Sequence, residues 1–268
     1  MNSGMGIAAS LMGSEFAEKV ILITGGGHGI GAAAARCFAE AGARVALADV
    51  DRQAGDRLSE ELIAHHRQAL FVEADVSEGR DCKLAVERVL DTFGCIDILF
   101  NNAGITRRAN VVETTEKEWD AVIDTNLKSV FLMCKYVVPV MASNGGGVII
   151  NTASGWGLVG GKEAVSYCAS KGGVVLLTKA MALDHGKDNI RVNCICPGDT
   201  RTRMLVEEAR QLDLSTDDLI EEGIYRPLGR VGEPGEVAAS VMYLASSLAS
   251  FVTGTALVVD GGGLAGSA

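Results

Sequence analysis

Apolar and polar positions along the chain fall into two alternating patterns. Short apolar runs that stop at glycines or polar turns alternate with longer stretches whose charges recur at helical spacing. The first kind comprises KVILIT (19–24), RVALADV (44–50), ALFVEADV (69–76), DILFNNAG (97–104), GGVIINTASG (146–155), NIRVNCICPG (189–198) and TALVVDGG (255–262). Mostly continuous runs of this kind predict seven strands covered on both faces. The second kind predicts helices over 29–42, 51–67, 78–94, 115–142, 164–186, 203–222 and 234–247. Gly42, Gly94 and Gly186 close three of these, and Pro139 interrupts a fourth near its end. Repeated βα units predict an α/β fold: a doubly wound, parallel, seven-stranded, Rossmann-like sheet in a single domain. Residues 1–15 read as a flexible leader and 16–268 as the domain. Its long insertion is an acidic segment at about 199–226.

Composition narrows the function classes. An apolar share of 48%, an aromatic share of 5% and 33 glycines in 268 residues suit tight packing with close backbone approaches. A net charge of −10 argues against nucleic acid or an anionic membrane as partner. No apolar run reaches membrane-spanning length, and the leader lacks the basic residues of a secretory signal. The seven cysteines form no CxxC and have no histidine at zinc spacing, which suggests reduced thiols in a cytoplasmic protein and no metal.

The segment TGGGHGIG (24–31) follows the first strand and opens the first helix. Gly25, Gly29 and Gly31 give the spacing TGxxxGxG. In that setting glycines allow a tight turn and close approach to a pyrophosphate, while the helix start supplies free N–H groups and a favourable dipole. Asp49 ends the second strand, where such folds place an acid on the adenosine ribose hydroxyls. A carboxylate there repels a 2′-phosphate, so NAD is expected in preference to NADP. His28, beside the loop, could gain charge and work against that preference. Asp75 and Val76 suit the adenine edge, although turn capping would look the same.

Tyr167 and Lys171 stand one turn apart if 164–186 is helical. A phenol titrates near pH 10, and work as an acid/base at neutral pH needs a drop of about 3 units, or about 4 kcal/mol. One ammonium about 4 Å away supplies about 4 kcal/mol at an effective dielectric of about 20. Ser154, at the end of the fifth strand, would meet the pair on the C-terminal edge of the sheet.

Together these features make the chain resemble the short-chain dehydrogenase/reductase family over nearly everything after residue 15. The motifs run in order: TGGGHGIG, Asp49, Asp75, NNAG at 101–104, Asn126 in NLKS, Ser154, Tyr167 with Lys171, PGDTRT at 197–202, and VTGTALVVDGG. The resemblance implies that Tyr167 is the catalytic acid/base and that Ser154 orients the substrate oxygen. It implies that Lys171 lowers the tyrosine pKa and bonds the nicotinamide ribose, and that Asn126 holds a water in a proton relay with Lys171. It further implies a coenzyme site of Gly25, His28, Gly29, Ile30, Gly31, Asp49, Asp75, Val76, Asn102, Ala103 and Gly104, with Tyr167, Lys171, Pro197, Gly198, Thr200 and Thr202 at the nicotinamide end. Asp199-Thr200 departs from the apolar pair of many relatives.

The expected activity is interconversion of a secondary alcohol and a ketone with NAD. The alternatives are a non-catalytic NAD(H)-sensing regulator and a 3-oxoacyl reductase-like enzyme. Substrate choice would lie in 199–226, 155–163 and 105–110. Arg107, Arg108, Arg201 and Arg203 suit a sugar, polyol or sugar acid, or else pair with Glu207, Glu208 and Asp213; Trp156, Leu158, Met204 and Leu205 would line an apolar pocket. The resemblance also implies a homotetramer.

Overall fold

The order of the strands creates the crevice in which the site lies. The computed structural model describes residues 15–222 and 226–266. The strands are β1 (Val20–Thr24), β2 (Arg44–Asp49), β3 (Ala69–Glu73), β4 (Ile98–Asn101), β5 (Gly147–Thr152), β6 (Ile190–Pro197) and β7 (Ala256–Val259). They form one sheet in the order β3-β2-β1-β4-β5-β6-β7, with every pair parallel. From β1 the chain winds outward through β2 and β3, crosses back to β4, and winds outward the other way. Such a reversal leaves an open crevice at the C-terminal ends of the two central strands.

The strand period of two sorts the core into two layers. On β1, Val20 and Leu22 enter one layer and Ile21 and Ile23 the other; on β2, Ala46 and Ala48 oppose Val45 and Leu47 in the same way. Apolar residues of α3 (Gly79–Phe93), α5 (Ser129–Ser143) and α6 (Val165–His185) fill the first layer. Those of α1 (Gly29–Glu40), α2 (Arg52–Ala64) and α9 (Pro234–Ala245) fill the second. Ala32, Ala33, Ala34 and Ala35 of α1 are all buried, and their small side chains let α1 lie close against α9. Among the described residues no helix is long and apolar enough to cross a membrane.

Two helices differ from the sequence expectation. The stretch 115–142 is α4 (Glu116–Ile123), a π-helical turn (Asp124–Lys128) and α5, which runs through Pro139 to Ser143. The stretch 203–222 is α7 (Arg203–Gln211) and α8 (Thr216–Glu222), separated by a turn in which Asp213 takes a φ of 55°. Strands also stop earlier than their apolar runs: β4 ends at Asn101 and β7 at Val259, and the glycine-containing turns beyond them face the crevice. Residues 1–14 of the expected leader and 223–225 of the expected substrate segment lie outside the described residues. Glu15, placed in the leader by the sequence, accepts a hydrogen bond from the Ser247 N–H.

Candidate active site

A cavity of about 710 Å³ runs along the C-terminal ends of the strands. Its wall contains Gly25, His28, Gly29, Ile30 and Asp49 at one end, and Asp75 and Val76 after β3. Asn102, Ala103 and Gly104 follow β4; Ser154, Tyr167 and Lys171 come from β5 and α6; Pro197, Gly198, Thr200 and Thr202 follow β6. Of the catalytic and coenzyme-site residues assigned from sequence, Gly31 and Asn126 are the two that do not line it.

Gly31 serves the shape of the loop. A Cβ there would stand 2.2 Å from the Gly25 carbonyl oxygen and 2.7 Å from Asn102 Nδ2. Gly25 itself has a φ of 61°, and a Cβ on it would lie 2.8 Å from the Ala103 Cα. The loop after β1 and the turn after β4 are thus folded onto one another. Thr24 Oγ1 accepts from the N–H groups of Asn102 and Ala103 at 3.0 and 3.2 Å. Asn102 Nδ2 donates back to the Thr24 and Gly25 carbonyls at 3.2 and 3.1 Å.

Asp49 Oδ2 accepts from the Gly27 N–H at 2.8 Å and Oδ1 from the Asp51 N–H at 2.9 Å. Asp51 caps α2 through the Ala54 N–H at 3.1 Å. Its Oδ2 also lies 3.5 Å from His28 Nε2 and 3.4 Å from Arg203 Nη1. Asp75 lines the wall, but its Oδ1 accepts from the N–H and Oγ of Ser77 at 3.0 and 2.7 Å, the turn-capping arrangement. A glycine loop at a helix start, a carboxylate at the end of β2 and a cavity of this volume fit a dinucleotide.

At the other end Tyr167 and Lys171 share one face of α6. Ser154 Oγ accepts from the Trp156 N–H at 3.2 Å, and its hydroxyl lowers the Tyr167 pKa. Lys171 is 2% exposed; its Nζ donates to the Thr152 main-chain oxygen at 2.8 Å and lies 5.7 Å from the centre of the Tyr167 ring. Thr152 Oγ1, in the same wall, is buried with no hydrogen-bond partner among the described residues. Burial dominates both titrations. It pushes the Tyr167 phenol up to about 12, against the lowering effect of the Ser154 hydroxyl and with help from the charges of Glu208, Cys168 and Asp199. It pushes the Lys171 ammonium down to about 8. In this arrangement the Lys171 ammonium is engaged by a carbonyl and is itself desolvated, so burial sets the direction of the phenol's shift.

Asn126 sits fully buried on the π turn behind Gly104. Its Oδ1 accepts from the Ile105 N–H at 2.8 Å, and its Nδ2 donates to the Ile105 oxygen at 2.9 Å and to Ser170 Oγ at 3.1 Å. A Cβ on Gly104 would meet Asn126 Oδ1 at 3.3 Å and Lys171 Nζ at 3.4 Å, so the backbone at Gly104 lies against both.

The loop arginines are mostly committed. Arg108 pairs with Glu208 at 2.5 Å, Arg201 with Glu233 at 2.9 Å and Arg203 with Asp51 at 3.4 Å. Arg107 lines the cavity and donates to the Thr106 oxygen at 3.0 Å. Trp156, Met204 and Leu205 supply an apolar wall, while Leu158 is exposed and outside it. Sequence reading missed Asp260 and Leu264 in the lining and did not single out Arg226 within the segment 199–226. Arg226 pairs with Asp199, and Asp260 Oδ2 accepts from the Leu264 N–H at 2.8 Å, which folds the chain after β7 over the substrate end. No local pattern marks the Arg226–Asp199 contact, whose partners are 27 positions apart.

Four likenesses to known proteins bear on this geometry. A family model described as enoyl-(acyl carrier protein) reductase matches residues 25–263. A cyclohexanol dehydrogenase of Acinetobacter sp. (strain SE19) is 41% identical over 254 residues, covering 94% of this chain and 97% of that protein. A 3-oxoacyl-[acyl-carrier-protein] reductase of Thermotoga maritima is also 41% identical, over 247 residues, covering 91% and 97%. The crystal structure of a levodione reductase superposes with a TM-score of 0.89 at 37% identity, covering 94% of this chain and all of that one (100%). With these likenesses spanning the glycine loop, the Tyr167–Lys171 helix and the closing strand, the chain belongs to the short-chain dehydrogenase/reductase family of oxidoreductases.

Proposed function

We propose that the protein is an NAD-dependent oxidoreductase that interconverts an uncharged secondary alcohol and its ketone. One observation carries this reading. Ser154, Tyr167 and Lys171 line the same cavity whose far end is formed by the glycine loop and Asp49. The loop at the start of α1 would hold the pyrophosphate, Asp49 the adenosine ribose, Lys171 the nicotinamide ribose, and the segment from Pro197 to Thr202 the carboxamide. When bound, the nicotinamide supplies the two-electron acceptor or donor.

Ser154 donates a hydrogen bond to the substrate oxygen. In the oxidising direction Tyr167 takes the hydroxyl proton, and in the reducing direction it returns one. The phenol, at about 12 here, must come down by about 5 units, or about 7 kcal/mol, to work at neutral pH. Lys171 and an oxidised, cationic nicotinamide are the two charges able to do this. Asn126 fixes Ile105 and the turn at Gly104, and a water relay through it to Lys171 remains part of the proposal.

An uncharged substrate is favoured because Arg108, Arg201 and Arg203 are already paired with carboxylates. The apolar wall of Trp156, Met204 and Leu205, and the likeness to a cyclohexanol dehydrogenase, support a cyclic alcohol or polyol over a sugar acid. A second reading, a 3-oxoacyl reductase, is favoured by the equal identity to the Thermotoga maritima enzyme. Apolar side chains exposed on α4 to α6 (Trp119, Phe131, Leu176, Leu183) and beside β7 (Leu248, Phe251, Val258) support a homotetramer. The test is absorbance at the reduced-nicotinamide band with cyclic alcohols, polyols, hydroxy acids and an acetoacetyl thioester, each with NAD and NADP coenzymes. Tyr167→Phe should abolish turnover; retained turnover would remove the assignment.

A further inference from the structure

Arg108 and Glu208 are 100 positions apart and meet at the substrate end of the cavity. Arg108 Nη1 donates to Glu208 Oε1 at 2.5 Å, and the two side chains are 11% and 16% exposed. The guanidinium carbon stands 5.0 Å from the Trp156 ring centre, and Trp156 meets Tyr167 edge-on at 6.1 Å. The Arg108 N–H also donates to Gln211 Oε1 at 2.9 Å, which fastens α7 to the loop after β4. Glu208 lines the cavity with Ser154 and Tyr167, and its charge is felt at the phenol.

A largely buried ion pair is a poor device for docking a helix, since desolvation offsets much of the attraction and an apolar pair serves as well. A carboxylate, however, is an acceptor-only group with several lone-pair directions on each oxygen. Here Arg108 fixes one in the wall that also carries Trp156, Met204 and Leu205. The geometry points to Glu208 as a substrate-binding residue that accepts a hydrogen bond from a second hydroxyl of the substrate. The site then prefers diols and hydroxyketones to simple secondary alcohols, and the same charge turns carboxylates away. This rests on the alcohol–ketone reading above and narrows it.

The probes are cyclohexanol and the isomeric cyclohexanediols, oxidised by the full chain with NAD. Both kinds of substrate share the chemical step, so the ratio of their kcat/KM values isolates the second hydroxyl. A hydrogen bond to a charged acceptor predicts a ratio of about ten or more for at least one diol. Glu208→Gln lowers that ratio. The double variant Arg108→Met with Glu208→Leu brings it near one; replacing both partners strands no buried charge, which keeps the test available if the single variant does not fold. A wild-type ratio near one for every diol, or a raised ratio that survives the substitutions, overturns the inference and leaves the alcohol–ketone reading standing. No turnover of any of these alcohols with either coenzyme overturns both.

Discussion

The ammonium of Lys171 donates to the main-chain oxygen of Thr152 at 2.8 Å. Burial around that contact dominates the electrostatics of the site. The lysine is 2% exposed, so its charge is held by one carbonyl at the end of β5 and by little water. The phenol one turn earlier lies 5.7 Å away at its ring centre, and burial keeps it protonated. Each member of the pair is thus pushed toward its neutral form.

A buried lysine of this kind costs stability, with a definite pH signature. Burial lowers its pKa from 10.5 to about 8. Between those values the unfolded chain binds more protons than the folded one, so the folded state gains stability as pH rises through this window. Below about pH 8 the full penalty is present, about 3 kcal/mol. Lys171→Met removes the charge and also loses the bond to Thr152. Its stability relative to wild type should therefore fall by about 3 kcal/mol between pH 8 and pH 10.5 in denaturant titrations. A difference that does not change with pH would show that the lysine is not desolvated.

The same value sets an expectation for turnover. Alcohol oxidation needs a group on the Tyr167–Lys171 unit that can take a proton, and the first to become available titrates at about 8. The kcat/KM for oxidation should rise about tenfold per pH unit below that point and level off above it, with ketone reduction favoured at lower pH. A profile from pH 6 to 10 with NAD and cyclohexanol reads this directly. A midpoint near 10 would mean that the unit is not coupled to the buried lysine.

Much of this site could be read from the chain because its parts are local. The glycine spacing at 24–31, Asp49 closing an apolar run, and a tyrosine four residues before a lysine each need only one element to be placed correctly. The parallel sheet then brings them to one edge. What could not be read depends on distance. The Arg108–Glu208 pair spans 100 positions, and the Arg226–Asp199 pair spans 27. The direction of the Tyr167 shift depended on how deeply the ring is buried and where the Lys171 amine points, neither of which spacing along a helix specifies. The π turn at Asn126 was hidden because its residues are ordinary helix formers in pattern, and only the bonds to Ile105 show why the turn widens there.

Asp49 and Asp51 together bear on coenzyme choice. Asp49 faces the cavity, while Asp51 engages His28 and Arg203 beside the glycine loop. Asp51→Asn keeps an N-cap side chain for α2 and removes the charge. Arg203 and His28 are then available to a 2′-phosphate, and affinity for NADPH should rise about tenfold while that for NADH changes less than about twofold. Fluorescence titration with both reduced coenzymes checks it. Equal changes for the two would show that Asp51 does not discriminate.

Two glycines predict opposite outcomes of the same substitution. At Gly31 a Cβ would stand 2.2 Å from the Gly25 carbonyl oxygen, a backbone atom that can move away only if the loop does. Gly31→Ala should cost about 3 kcal/mol or more, or else distort the loop and weaken NADH binding at least about tenfold. At Gly186, after α6, the backbone is right-handed helical with φ −58° and ψ −35°, and a Cβ would meet nothing within 4 Å. Gly186→Ala should therefore stabilise by about 0.4–1 kcal/mol, because alanine has fewer unfolded conformations to lose and no native strain. Thermal melts with and without NADH separate the cases. A neutral Gly31→Ala with unchanged NADH affinity would mean that the loop after β1 is not held against the turn after β4 as tightly as its contacts require.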